Sequence, residues 1–228
     1  MDYRGVSILY EDNHLLVVVK PPNMLSQGDY TGDLDLLTLM KEYIKVTYDK
    51  PGNVYLGLVH RLDRPVGGVM VFAKTSKAAA RLTKQIQAGE MGRRYLAVVE
   101  GIPHPLEGSL ENYLLKDAES NQVKVVPKGT PGAKWASLSY AVVGVSENMS
   151  LVRLELHTGR AHQIRVQMAH AGFPLVGDVR YGRRTRQNLQ IALWGYELQL
   201  IHPTLQEKMT FTAPPPERYP WNMFKEKA

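Results

Sequence analysis

The chain has 228 residues, 28 of them Lys or Arg against 22 Asp or Glu, and no cysteine. Disulfides, thiolate metal sites and a cysteine nucleophile are therefore excluded, and the length is sufficient to bury a core without such staples. The formal charge of +6 favours a polyanionic partner, with nucleic acid first.

In chain order, "MDYRGVSILYEDNH" carries acids and no apolar h-region. No apolar run reaches membrane-spanning length either, so a cytoplasmic protein without a membrane partner is expected. "HLLVVVKPPN" reads as a buried strand stopped by a double proline, and "LDLLTLMKEYI" has helical spacing. "NVYLGLVHRL" and "GVMVFAK" read as strands flanking the segment "HRLDRPVGG". "SKAAARLTKQIQAGEMG" is the clearest helix, with Ser76 as its N-cap and Gly89 as its stop. "RRYLAVVEG" alternates as a strand, and a turn-rich middle region predicts strands joined by exposed loops. "WASLSYAVVGVSE" and "MSLVRLELHTG" pair as a hairpin around "SEN". "RAHQIRVQMAHAG" is a short helix ending at Gly172, and "IALWGYELQLIHP" and "EKMTFTAPPP" return to strands. Strands dominate, so the expected class is mixed α/β or α+β around a large, mostly antiparallel sheet. No compositional break marks a boundary, and one domain over residues 1–228 is expected.

Two charged residues stand out. At about 100° per residue, Ala161, Ile164, Met168, Ala171 and Gly172 share one arc of the late helix, with His162, Gln163, Gln167 and His170 largely opposite. Arg165 falls inside the apolar arc. A buried guanidinium needs a carboxylate or a phosphate, unless the side chain snorkels to water. Asp63 could be that partner. It ends an alternating stretch in which Gly57, Val59, Arg61 and Asp63 share a face, Pro65 biases Arg64 toward extended backbone, and Gly67 and Gly68 allow a sharp turn. A bare strand-end aspartate is more often a turn former.

The histidines at 157, 162 and 170 lack an HExxH pattern or a carboxylate triad, and no metal site is expected. P-loop, Rossmann and GxSxG signatures are absent. Arg183, Arg184 and Arg186, with Arg93 and Arg94 and the basic helix at 74–84, form either an RNA-facing surface or a solvated one.

Four ordered segments resemble the RluA-type pseudouridine synthases. They are "ILYEDNHLLVVVKPPNMLSQGD", "HRLDRPVGGVMVFAKT", "GRRYLAVVEG" and "LHTGRAHQIRVQMAHAGFPLVGDVRYG". The resemblance implies the pseudouridine synthase core, a mixed sheet with a central active cleft, without the small N-terminal S4-like RNA-binding domain of many members. It implies Asp63 as the catalytic aspartate, Tyr95 against the uracil ring, and Arg165 paired with the aspartate. Arg61 would occupy the space left by a flipped nucleotide, with His60, Arg64, Arg160 and Met168 also on the substrate side.

The implied reaction isomerises uridine to pseudouridine in a ribosomal or transfer RNA stem-loop, by a monomer and without a cofactor. An ionised carboxylate suits attack or assistance at an anomeric carbon, and the base must leave its stack to be reached. The sequence departs from the family pattern at Val66-Gly67, where Thr-Ser is usual, and at Gln167 and Met168, where His and Leu are frequent. The alternatives are an inactive RNA-binding relative and a nucleoside glycosylase.

Overall fold

Apolar runs and helix caps divide the chain into fifteen regular elements and a terminal 3₁₀ turn. The structure, a computed structural model, describes residues 1–117, 119–182 and 189–224. In order these are β1 (Asp2–Tyr3), β2 (Val6–Glu11), β3 (Leu15–Lys20), α1 (Leu36–Thr47), β4 (Gly57–Leu58), β5 (Gly67–Ala73), α2 (Ser76–Ala88), β6 (Gly92–Glu100), β7 (Glu107–Lys116), β8 (Val123–Val126), β9 (Lys134–Ser146), β10 (Met149–Leu156), α3 (Gln163–His170), β11 (Leu193–Ile201) and β12 (Lys208–Thr212), then the 3₁₀ turn Trp221–Phe224. The class is α+β, as expected. The chain forms two compact units, one of Met1–Arg93 with Gly195–Pro214 and one of Arg94–Trp194 with Pro215–Ala228.

In the first unit, β1, β2, β3 and β5 pair antiparallel in that order, β4 joins β5, and β12 joins β11. All seven residues of β5 are buried, which explains its unbroken apolar run: both its faces are covered. On one face Leu15 and Val17 of β3 and Val69, Val71 and Ala73 of β5 pack with Ala78 and Leu82 of α2 and Leu198 and Leu200 of β11. Each such side chain contributes roughly 1.5–3 kcal/mol by leaving water. Met70 points the other way, where its sulfur meets Ser26 Oγ at 3.7 Å. The Asp35 carboxylate caps α1 by accepting from Thr38 N–H and Oγ1–H. The cap of α2 is Thr75, not Ser76, and Gly89 stops the helix in the left-handed region.

In the second unit, β6, β10, β9, β7 and β8 form an antiparallel series. The expected hairpin joins β9 to β10 through Glu147 and Asn148, with Ser146 opposite Met149 and Glu147 at φ 54°. α3 is shorter than its apolar spacing suggests. His162 adopts left-handed backbone, so helical structure begins only at Gln163. It is also not amphipathic: every residue from Gln163 to Met168 is buried. Gln163 and Gln167 turn inward because their amides find partners, Ser137 O for one and Leu110 O and Asn112 Oδ1 for the other.

"NVYLGLVHRL" is not a strand beyond Gly57–Leu58. Gly67-Gly68 does not simply turn the chain. Gly67 opens β5, and Gly68, at φ +134°, lies where a Cβ would come within 2.3–2.5 Å of the Gly195 backbone. A Cβ on Gly195 would meet only ordinary contacts, 3.5 Å or more away. We expect Gly68→Ala to lower the unfolding free energy by roughly 3 kcal/mol or more, and Gly195→Ala to change it by less than about 1 kcal/mol. Urea denaturation of both variants checks this, and equal effects would refute the close-approach account.

Candidate active site

The chain leaves the β5 ladder at His60. After the β4 rungs Gly57–Ala73 and Leu58–Phe72, the next donor on β5, Val71 N–H, is taken by the His60 ring at Nε2, 3.1 Å away. The side chain thus replaces a backbone rung, and residues 59–66 are released to form a loop. Because Nε2 accepts, the imidazole is the neutral tautomer with its proton on Nδ1. Burial, helped by the nearby Arg93 charge, pulls the His60 pKa down to about 4.

The released loop is held on both sides of Asp63. Ser26 Oγ donates to Leu62 O at 2.7 Å and accepts from Leu62 N–H at 3.2 Å. Val66 N–H closes a four-residue turn on Asp63 O at 2.9 Å. Arg64 reaches back to Asn23 O through Nε and to Asp33 Oδ2 at 2.7 Å. The Val66-Gly67 pair therefore needs no hydroxyl to close this turn: Val66 supplies a backbone N–H and a buried side chain.

The deepest hold is Lys20. Its side chain is fully buried, and Nζ donates to Pro21 O, Met24 O and Arg64 O at 3.0, 2.6 and 3.1 Å. Burial pulls its pKa down to about 7, the Asp63 charge opposes that pull, and the Arg64 charge adds to it. The three acceptors match the three N–H bonds that only the ammonium has, so the geometry favours the cation.

In the second unit, Arg165 is buried as its inward position requires. Its Nε and Nη2 donate to Asp178 Oδ2 and Oδ1 at 2.8 and 2.7 Å, a bidentate pair, and the guanidinium lies 5.1 Å from the centre of the Tyr181 ring. Burial would raise the Asp178 pKa, but Arg165 and the N–H groups of Arg180 and Tyr181 outweigh it and hold the carboxyl below its usual range. Tyr181 Oη accepts from Val123 N–H and contacts His162 Nδ1 at 2.7 Å.

The other expected residues are placed as follows. Tyr95 is buried on β6. Arg61 is exposed. Met168 is buried at 1% exposure. Arg160 is exposed and bonds Trp135 O through Nε. Arg94 and Glu155 form a loose 3.5 Å pair. His60, Arg61, Asp63, Arg64 and Arg93 belong to the first unit, and Arg94, Tyr95, Arg160, Arg165 and Met168 to the second. Arg183, Arg184 and Arg186 lie outside the described residues.

Sequence reasoning missed Lys20, Ser26, Asp178 and Tyr181. Only the last two had a signal: they sit in "GDVRYG", one helix length beyond the arginine that demanded an acid.

Comparisons with known proteins agree on one family. The family model described as RNA pseudouridylate synthase matches residues 14–170. An uncharacterized RNA pseudouridine synthase of Bacillus subtilis is 34% identical over 218 residues, covering 94% of this chain and 70% of the relative. The ribosomal large subunit pseudouridine synthase D of Pseudomonas aeruginosa is 34% identical over 233 residues, with 95% and 70% covered. The solved structure of human RNA pseudouridylate synthase domain containing 4 superposes with a TM-score of 0.77 at 23% identity, covering 92% of this chain and 88% of that one, a likeness of fold.

Two outcomes are expected. Lys20→Met leaves three carbonyls without a donor and lowers stability by roughly 3 kcal/mol or more, read as a fall in melting temperature; an unchanged melting temperature would dismiss the cage. For His60 the folded pKa of about 4 lies below the unfolded value of ~6.5. The unfolded chain therefore binds more protons between these values, and stability falls as pH drops through that window, by roughly 1.4 kcal/mol per pH unit. Unfolding free energies from pH 7 to 4.5 should decline less steeply in His60→Asn than in the parent chain, and parallel declines would count against a neutral imidazole held on Val71 N–H.

Proposed function

This chain belongs to the RNA pseudouridylate synthase family, and on that premise we propose that it converts a uridine of large-subunit ribosomal RNA to pseudouridine with Asp63 as the catalytic carboxylate. The reaction breaks the N1–C1′ glycosidic bond, turns the uracil, and joins C5 to C1′. The C5 proton is lost and N1 gains one, so substrate and product are isomers. The chemistry calls for no redox partner and no hydrolytic water.

The observation that carries the reading is the holding of Asp63. Leu62 is bound through both backbone groups by Ser26, Arg64 O by Lys20, and Asp63 O by Val66 N–H. A carboxylate whose own and neighbouring backbone groups are fixed is aimed by the main chain. That suits a group that must act at an anomeric carbon. In this reading Arg165 keeps the carboxylate ionised and oriented, which its own rigid seating on Asp178 and Tyr181 supports. Tyr95 offers a face to the uracil, which leaves its stack to reach the enzyme. Arg61 is exposed, as a residue filling the vacated stack must be. The ribosomal substrate is supported by the name of the Pseudomonas aeruginosa relative, and the net positive charge supports an RNA partner.

Deleting the gene should remove pseudouridine at one or more uridines of the large-subunit RNA. The parent chain restores it. Asp63→Asn should not, with a rate loss on the order of 10⁴-fold or more while RNA binding persists. Restoration by Asp63→Asn would sink the assignment.

A further inference from the structure

Between β3 and α1 the chain makes a closed loop. Leu36 N–H donates to Leu25 O at 2.8 Å and Leu37 N–H to Ser26 O at 3.3 Å, so the two ends meet, as in an Ω-loop. The eight residues from Gln27 to Leu34 are all exposed. Tyr30, near their middle, is 98% exposed.

This loop brackets Asp63. At its base Ser26 Oγ holds both backbone groups of Leu62. On its far side Asp33 Oδ2 pairs with Arg64 at 2.7 Å. The residues before and after the aspartate are thus each tied to the same loop. Tyr30 is three residues from Asp33, at most about 11 Å of chain. The tip therefore lies within the span of an RNA stem-loop that delivers a uridine to Asp63.

The tip is also ordered from within. Asp29 Oδ1 accepts from Thr31 N–H at 2.9 Å and from the Thr31 hydroxyl at 2.5 Å, and Thr31 Oγ1 accepts from Asp33 N–H at 3.4 Å. Tyr30 sits inside this turn, so its backbone is fixed while its ring is bare to water. Such a ring can stack on a flat partner at little further cost in order. The charges decide which part of an RNA it meets. Asp29 and Asp33 make the rim acidic and turn phosphates away, whereas the face of a base is uncharged and stacks on an aromatic ring. A lone exposed aromatic is ordinary on a protein surface. What sets this one apart is its place on the loop that ties both neighbours of Asp63.

We propose that Tyr30 is a substrate-recognition residue whose ring stacks on an unpaired base of the RNA beside the uridine being modified. The inference rests on the pseudouridine synthase reading and adds a specificity contact to it. The stack forms when the RNA binds and persists through the reaction, so it acts on KM and leaves kcat alone.

The test uses the full chain, large-subunit ribosomal RNA transcribed in vitro, and the variants Tyr30→Ala and Tyr30→Phe. Tyr30→Ala should raise KM about tenfold, with kcat within about twofold of the parent. Tyr30→Phe keeps the ring and should keep KM within about twofold. The slope of log affinity against log KCl concentration should be parental in both, since no phosphate contact is lost. At 98% exposure the side chain supports nothing in the fold, so the melting temperatures should not move. A parental KM in Tyr30→Ala overturns the proposal and leaves the tip to solvent or to a protein partner. A shallower salt slope in Tyr30→Ala overturns it too, as does a Tyr30→Phe variant as weak as Tyr30→Ala, which would make the hydroxyl and not the ring the contact. Parental activity in Asp63→Asn would instead overturn the underlying reading, so the two failures are separable.

Discussion

The turn that carries Asp63 depends on one buried cation. Lys20 Nζ gathers a carbonyl from its own neighbour, one four residues on and one 44 residues away. These acceptors diverge, and a compact ammonium with three rotatable donors can serve all of them where a planar guanidinium could not. Burial works against the charge, and Asp63 works for it. Were the proton lost, only two N–H bonds would remain for three carbonyls. Protonation of Lys20 and the geometry of the loop are thus one state of the molecule. An anion close by helps to keep that state populated.

Arg165 solves the opposite problem with the opposite residue. One of its partners is a planar carboxylate, which the Nε/Nη2 edge meets in register, and the Tyr181 ring lies against the guanidinium. Asp178 is itself braced by two backbone N–H groups. Tyr181 is fixed by Val123 and His162. The pair is buried, so removing either partner would strand a charge. Its value lies in orientation more than in stability. A side chain seated in this way presents the same edge each time.

The regular elements were legible where apolar runs or caps marked them: β3, β5, β6, the β9–β10 hairpin, α1 and α2. The loop at 59–66 was not. Leu56, His60 and Leu62 keep the alternation of a strand, yet the rung after Leu58 is filled by an imidazole, which mimics a backbone acceptor. α3 misled for a related reason. Gln163 and Gln167 look like solvent residues on a helical wheel, but amides that find buried carbonyls can face inward. The burial of Arg165 was predictable because an isolated charge on an apolar arc has few other solutions. That Asp178 would be one of its partners was not, since helix phase says nothing about which distant segment packs beside it. Lys20 gave no warning at all: a lysine closing an apolar run reads as an exit to water, and its partners are main-chain oxygens present at every residue.

The reliance on main-chain groups has an evolutionary side. Leu62 is gripped at its backbone N–H and C=O, Asp63 and Arg64 at their C=O, and the turn closes on the N–H of Val66. Any residue but proline brings the same atoms to position 66. The loop can therefore exchange side chains there, a hydroxyl for an isopropyl group included, while the aspartate keeps its place. Innovation at the rim of such a site is separated from the coordinates of its chemistry, and relatives can diverge in what they select without rebuilding what they do.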